Sequence, residues 1–242
     1  MMIFFDILKS FLENQIIFDG EVALNYIEIK NYILSNTIPL IGPPTGHAWI
    51  DLGPLFYWIM ILVFKIFGFS PLVVHFMFIA LQIVTAISCF IVVREIVDRR
   101  TAIISTFLIL FSPFWLTLFR YSRFYLFAVP LSFLFIHFFA KGIKKSDTQF
   151  YISFFILGII FNFHLSVLVL IFASLATVFI FNRYGLLPKE RKLITIKNCF
   201  YSLLFFLIPN IPFLIINVQN KFDPIIKLMM WIPYRFIKLI WF

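Results

Sequence analysis

The chain has 242 residues, of which 62% are hydrophobic and only 13% are charged, and its mean hydropathy is +1.02. Soluble domains carry about 25% charged residues, so this composition, with its 36 phenylalanines, excludes an ordinary water-soluble domain. The formal net charge is +9, but the basic residues lie in short clusters between apolar runs. That distribution is typical of the cytoplasmic loops of membrane proteins and not of nucleic-acid binding.

The first 18 residues are too few to span a membrane, and they lack the basic start of a cleavable signal peptide. Residues 18–58 then form a long polar segment that holds four of the eleven acidic residues: Asp19, Glu21, Glu28 and Asp51. A Gly/Pro-rich turn containing His47 lies in the same segment. Carboxylates gathered beside such a turn, in an otherwise apolar chain, indicate a site of binding or chemistry.

Residues 55–69 form a short apolar stretch that is interrupted by Lys65. Fifteen residues are fewer than a spanning helix requires, so we predict an interfacial helix here. Aromatic side chains favour the boundary between lipid and water. Tyr57 and Trp58 are therefore expected at the depth of the lipid headgroups.

Long windows without Asp, Glu, Lys or Arg predict the membrane spans. The window 148–182 has basic clusters at both ends, so it must cross the membrane an even number of times, as two short helices with a turn near residues 162–164. We predict about six transmembrane helices, at 71–93, 101–119, 124–140, 148–163, 165–182 and 198–217.

The basic clusters between these windows fix the orientation, because Lys and Arg are retained in the cytoplasm. They comprise Arg94, Arg99, Arg100, Lys141, Lys144, Lys145, Arg183, Lys189, Arg191, Lys192 and Lys197. The helix at 71–93 therefore begins outside, and the acidic loop before it is predicted to be extracytoplasmic, on a multi-pass protein of the cell membrane.

The predicted fold class is all-α, a polytopic integral membrane protein with interfacial helices in its first extracytoplasmic loop. We divide it into residues 1–70, the acidic loop with interfacial helices; residues 71–220, the transmembrane domain; and residues 221–242, an interfacial tail. In the tail, aromatic and aliphatic residues alternate with Lys227, Arg235 and Lys238, a composition that suits the outer membrane surface.

Several stretches carry a resemblance to a known family. After the acidic segment come NYILSNTIPLIGPPTG, LGPLFYWIMILVFKIFG, LFSPFW, RYSRFY and GIIFNFHLSVL, in this order. Together they resemble the GT-C membrane glycosyltransferases, especially the family 39-like group with the protein O-mannosyltransferases and the aminoarabinose transferases of lipid A. The resemblance implies a polyprenyl-phosphate-linked sugar donor, an extracytoplasmic active site and inversion at the sugar carbon.

The chain departs from that family at two places. The family has an adjacent Asp-Glu pair after its first transmembrane helix, whereas this chain has Asp19-Gly20-Glu21-Val22 and no apolar span before it. Either Asp19 or Glu21 can be aligned with the catalytic acid. We therefore expect the sequence to be a fragment or a shortened member of the family.

Glycosyl transfer from a lipid phosphate requires a base that takes the proton of the acceptor hydroxyl. Asp19 and Glu21 are the candidate catalytic residues, and partial desolvation at the membrane surface would raise the pKa of such a carboxyl group. An arginine stabilises the phosphate leaving group well, because its planar fork matches phosphate oxygens. The substrate-binding candidates are Arg120, Arg123, His47, Asp51, Tyr125 and His164.

Each of these residues also has a structural interpretation. Asp19, Glu21 or Asp51 would stabilise a helix as a cap or from its first turn, and Arg120 and Arg123 would extend toward lipid headgroups. His47 would contact sugar or phosphate only if the turn faces the donor. No cofactor is predicted, and the spacing of His, Asp and Glu gives no metal site, although a divalent metal stays open.

Two other classes of function compete with a glycosyltransferase. A transporter usually has ionisable residues inside its spans, and the predicted spans contain no acidic residue and no interior Lys or Arg. A non-catalytic scaffold that binds polyprenyl lipid remains the main alternative. The expected partners are a polyprenyl-phosphate sugar donor, membrane lipid, and an acceptor that is a lipid, a glycan or a protein.

Overall fold

The computed structural model describes residues 20–45, 51–165, 167–187 and 193–240. Within these ranges the fold is all-α, as predicted. The α-helices are α1 (Gly20–Ser35), α2 (Leu55–Phe67), α3 (Pro71–Ile96), α4 (Arg99–Phe111), α5 (Pro113–Arg120), α6 (Ala128–Lys144), α7 (Asp147–Phe161), α8 (Val167–Arg183), α9 (Ile196–Leu207), α10 (Ile211–Gln219) and α11 (Asp223–Ile240), with 3₁₀ turns at Phe124–Phe127 and Ile208–Asn210.

Local sequence explains where several helices begin. Ser70 caps α3, its hydroxyl accepts a hydrogen bond from the Leu72 amide, and proline occupies the first helical position. Asp98 caps α4, with Oδ1 2.7 Å from the Arg100 amide nitrogen and 2.9 Å from that of Thr101. The Asp98 cap separates α3 from α4, and these two helices pack against each other.

The helices agree with the predicted spans in position but differ in length. Three segments are long and apolar enough to cross a membrane: Pro71–Ile96, Phe124–Lys144 and Ile196–Gln219. A fourth is the pair α4–α5, which bends by 50° where Ser112 meets Pro113. The two helices expected in the window 148–182 are present, and α7 ends in a turn that begins at residue 162, but they have only 15 and 17 residues. By these criteria the described residues support three to four spans, so the predicted six are not confirmed.

The helices pack through aromatic side chains. Phe135, Phe139 and Phe150 form a stacked row between α6 and α7, with ring centroids 5.3 and 5.8 Å apart. Gly142 lets the two backbones approach, because a Cβ there would lie 2.6 Å from the Phe150 Cα. Many large apolar side chains on α3, α4 and α8 remain exposed, including Ile87, Phe107 and Phe172, as expected of surfaces that contact lipid.

The short helix α2 is more deeply embedded than expected. Its 13 residues are too few to span, as predicted, but Phe56, Tyr57, Met60 and Phe64 all lie in the protein core. Only 1% of Tyr57 is exposed, so its ring faces other protein side chains and not lipid, and its depth relative to the headgroups stays a prediction. Trp58 donates from its indole nitrogen to the Pro39 carbonyl oxygen, at 2.8 Å.

Candidate functional site

The first functional feature is an ion pair between the start of α1 and the turn after α5. Glu21 lies in the first turn of α1, where the helix dipole favours a negative charge. Its carboxylate pairs with the guanidinium of Arg123, which directly precedes the 3₁₀ turn at Phe124–Phe127. The side chains are 44% and 22% exposed, respectively. A candidate catalytic acid and a candidate phosphate ligand are thus in direct contact.

Helix α1 presents a polar stripe beyond this pair. Glu21, Asn25 and Glu28 follow at helical spacing and so lie along one face. The Tyr57 hydroxyl donates to the Glu28 carboxylate and lies 3.0 Å from Asn25 Oδ1. This buried tyrosine holds α1 against α2. Neither Asn25 nor Tyr57 was identified from the sequence, because their pairing joins residues about 30 positions apart.

Residues 42–44 and residues 51–53, which precede α2, lie side by side at the base of a loop. The Gly42 amide donates to the Leu52 carbonyl at 2.9 Å, the Leu52 amide donates to Pro43 at 3.1 Å, and an antiparallel bridge joins Pro44 to Asp51. A side chain at Gly42 would overlap the backbone of Gly53. The glycine is needed for this close approach.

This loop is seated on the end of α7. A Cβ at Gly53 would overlap the Asn162 side chain. Asn162 is fully buried, and its Nδ2 donates to Asn210 Oδ1 at 2.9 Å and to the Gly158 carbonyl at 3.0 Å. Asn210 in turn donates to Gly158 and Phe206. An amide network therefore ties the end of α7, against which the loop packs, to the break between α9 and α10.

Asp51 is a partly buried carboxyl group at the edge of this loop. Burial raises its pKa, the positive charge of Lys227 lowers it, and the negative charge of Glu28 raises it. Lys227 itself lies 2.6 Å from Asp223 within α11. The last described helix therefore brings a positive charge to the first loop. The sequence had indicated Lys227 only as part of the interfacial tail.

Tyr125 and His164 join the arginine turn to the α7–α8 turn. Their ring centroids are 5.7 Å apart with the planes at 68°. Surrounding protein lowers the pKa of His164 through desolvation, although its side chain retains solvent access. A neutral imidazole can donate from one nitrogen and accept at the other. Two predicted substrate-binding residues are thus brought together.

The other predicted site residues are Arg120, Asp19 and His47, and the structure describes only the first of them. Arg120, at the end of α5, interacts electrostatically with His75 near the start of α3. Asp19 and His47 lie outside the described residues. Within the described part of the chain, no three His, Cys, Asp or Glu side chains are grouped as metal ligands.

Known proteins share this arrangement of helices. A family model described as dolichyl-phosphate-mannose-protein mannosyltransferase matches residues 51–216, well over half of the chain. Asp51, Arg120, Arg123, Tyr125 and His164 lie inside the matched region, and Glu21 lies before it. No curated protein matches by sequence. The family match confirms the resemblance inferred from the motifs.

A solved structure has the same fold. It is described as the crystal structure of ArnT from Cupriavidus metallidurans bound to undecaprenyl phosphate, and it superposes with a TM-score of 0.60 at 14% sequence identity. The match covers 83% of this chain and 37% of ArnT. The chain thus spans just over a third of that protein's length and shares its fold over that part.

Proposed function

The chain belongs to the dolichyl-phosphate-mannose-protein mannosyltransferase family, and from that premise we propose that it is a membrane glycosyltransferase of the hexosyl-transferring type. It would transfer a sugar from a polyprenyl-phosphate-linked donor to an extracytoplasmic acceptor, which is a lipid, a glycan or a protein. The observation that carries the proposal is the Glu21–Arg123 ion pair, since it joins a carboxylate and a phosphate-binding group within one site.

The donor phosphate would bind at the arginine turn. Arg123 offers a planar fork that fits two phosphate oxygens, and Arg120 adds a second positive charge close by in the chain. Tyr125 and His164, whose rings are in contact, would border the sugar. The exposed apolar faces of the neighbouring helices would accommodate the isoprenoid tail.

Donor binding would also change the state of the carboxylate. While Glu21 is paired with Arg123, its charge is neutralised by the guanidinium. A phosphate that takes over Arg123 would release Glu21 from this pair and leave it free to accept a proton. The pair would then keep the site inactive until the donor is bound.

The chemical step breaks the bond between the anomeric carbon of the sugar and the phosphate oxygen, and forms a bond from that carbon to the acceptor oxygen. The acceptor proton passes to the carboxylate of Glu21 or of Asp19, and polyprenyl phosphate leaves with the electron pair. Arg123 stabilises the negative charge that develops on the leaving phosphate. Attack from the face opposite the phosphate inverts the anomeric configuration.

A transfer assay tests this proposal, using membranes that contain the chain and a panel of polyprenyl-phosphate sugars. Glu21→Gln or Asp19→Asn is expected to reduce transfer by about 10²–10⁴-fold with donor binding retained, because the shape is kept and the base is lost. Arg123→Gln should weaken both binding and turnover. Asp147→Asn, a matched change in the first turn of α7, should leave transfer unchanged. Full activity of both carboxamide variants would refute the catalytic assignment.

The second candidate is a non-catalytic scaffold that binds polyprenyl lipid. Its support is that the Glu21–Arg123 pair also has a purely structural role, since it fastens the start of α1 to the turn after α5. Arg123-dependent binding of polyprenyl phosphate without transfer from any donor in the panel would favour the scaffold over the enzyme.

A further inference from the structure

A second group of charged side chains lies at the opposite end of the helices, away from the site described above. Helices α3 and α6 both end there, and between their last turns is a pocket of about 400 Å³. Its lining residues are Ile91, Arg94, Glu95, His137 and Lys141. The pocket is open on one side and lies where α3 and α6 give way to the basic connections that follow them.

Three of these side chains form a connected group. His137 Nδ1 lies 2.7 Å from one oxygen of Glu95, and Lys141 Nζ lies 3.2 Å from the other. Lys141 Nζ is also 3.1 Å from His137 Nε2. An ammonium group only donates, so His137 Nε2 accepts from Lys141. The charges of Glu95 and Lys141 are thereby matched.

Arg94 is not part of this connected group. Among the described residues it has no ion-pair partner, and its side chain is part of the pocket wall. The formal charges of Arg94, Glu95 and Lys141 give the lining one net positive charge. Lys141 uses two of its three N–H groups on Glu95 and His137 and so has one left to donate.

We propose that this pocket binds the phosphate headgroup of an anionic phospholipid of the inner leaflet. The Arg94 fork would hold two phosphate oxygens, and the remaining N–H of Lys141 would hold a third. Ile91 offers an apolar wall beside the charged groups, as the glycerol and acyl part of a lipid requires. Basic pockets between transmembrane helices at the cytoplasmic surface select such headgroups. The proposal does not depend on the glycosyltransferase assignment.

The test is a titration of the delipidated, detergent-solubilised chain with phosphatidylglycerol or phosphatidylcholine, followed by native mass spectrometry. Phosphatidylglycerol should bind more tightly, and Arg94→Gln should weaken it about fivefold, the effect of one interfacial charge. Arg99→Gln removes the same charge five positions away, outside the pocket, and should have little effect. Lys141→Gln, inside the pocket, and Lys144→Gln, outside it, form a second matched pair, and only the first should weaken binding of phosphatidylglycerol.

Two further measurements keep the outcome decisive. Thermal unfolding without lipid shows whether each variant is folded. If Arg94→Gln is not folded, Arg94→Lys replaces it in the titration. This variant keeps the positive charge but loses the planar fork, so it should bind phosphatidylglycerol more weakly than wild type. Equal loss in Arg94→Gln and Arg99→Gln, or equal binding of both lipids, would overturn the proposal. The second measurement repeats thermal unfolding with inorganic phosphate. If phosphate stabilises the wild type but not Arg94→Gln, and phosphatidylglycerol has no added effect, the pocket binds a soluble anion instead.

Discussion

At the scale of single residues, the site depends on polar groups whose partners are far away in the sequence. Tyr57 is the clearest example, because its hydroxyl is buried and bonded to α1. Tyr57→Phe should lower the free energy of unfolding by about 1–3 kcal/mol, since Asn25 loses a buried partner. Tyr184→Phe, at a side chain that is 74% exposed, is the matched control. Equal thermal stability of the two variants in detergent would contradict the role of Tyr57.

The partly buried carboxyl group of Asp51 should make the stability of the protein depend on pH. Burial raises the pKa of Asp51 above its usual 3.8, so the folded chain holds that proton more tightly than the unfolded chain does. The contribution of Asp51 to stability is therefore fully present below pH 3.8 and decreases as the pH rises through the folded pKa. Asp51→Asn cannot ionise, and it should gain stability relative to wild type on going from about pH 4 to pH 7.

Substitution of Lys227 should change the pKa of Asp51 without altering Asp51 itself. Its positive charge lowers the pKa of Asp51, so Lys227→Gln should raise that pKa further and increase the cost of ionising Asp51 near neutral pH. Melting temperatures of the two single variants and the double variant, measured at both pH values, would show the coupling. If Lys227→Gln and Asp51→Asn act additively, the two residues do not interact.

At the scale of elements, the loop and the end of α7 fit together without spare room. Gly53→Ala should destabilise the protein by about 1–3 kcal/mol, because the added Cβ overlaps the Asn162 side chain. Asn162→Ala in the same chain removes the overlapping atoms and should recover part of that loss. Gly20→Ala has nothing within 4 Å and is the control. A double variant as unstable as the sum of the single variants would disprove the contact.

Helix positions could be predicted from the sequence better than helix lengths. Uncharged windows reflect where lipid can surround the chain, and all six predicted windows contain helices. The short α7 and α8 were predicted, because the basic clusters at both ends of 148–182 require an even number of crossings. The bend at Ser112 lies at Pro113 and divides a window that was predicted as one span. The buried pairing of Asn162 with Asn210 joins residues far apart in the sequence and leaves no local pattern.

Some residues of the candidate site could be predicted from the sequence and others could not. Arg123, Tyr125 and His164 lie in motifs that resemble a known family, and Glu21 lies in the acidic segment before those motifs. The structure brings these four residues together in pairs. Asn25 and Tyr57 lie in segments that pattern analysis assigns to a solvated helix and a membrane interface. Their contact depends on how α1 packs against α2, which hydrophobic periodicity does not specify.

At the scale of the whole molecule, orientation is the main open prediction. From the basic clusters we predict that residues 36 and 45 lie outside and residue 146 inside. In a Cys199→Ser background, cysteines introduced at Asn36 and Thr45 should react with an impermeant thiol reagent added to intact cells. A cysteine at Ser146 should react only after the membrane is opened. Labelling in the reverse pattern would invert the topology and place the Glu21–Arg123 pair in the cytoplasm.

The contribution of α11 to the first loop has a consequence for biosynthesis. Membrane proteins are made and inserted from the N-terminus onward, so Asp51 enters the membrane surface long before Lys227 has been translated. During that interval the carboxylate lacks the positive charge that α11 later supplies. The site therefore acquires this counter-charge only after α11 has been synthesised, and nascent chains that stop before α11 would carry an acidic loop without it.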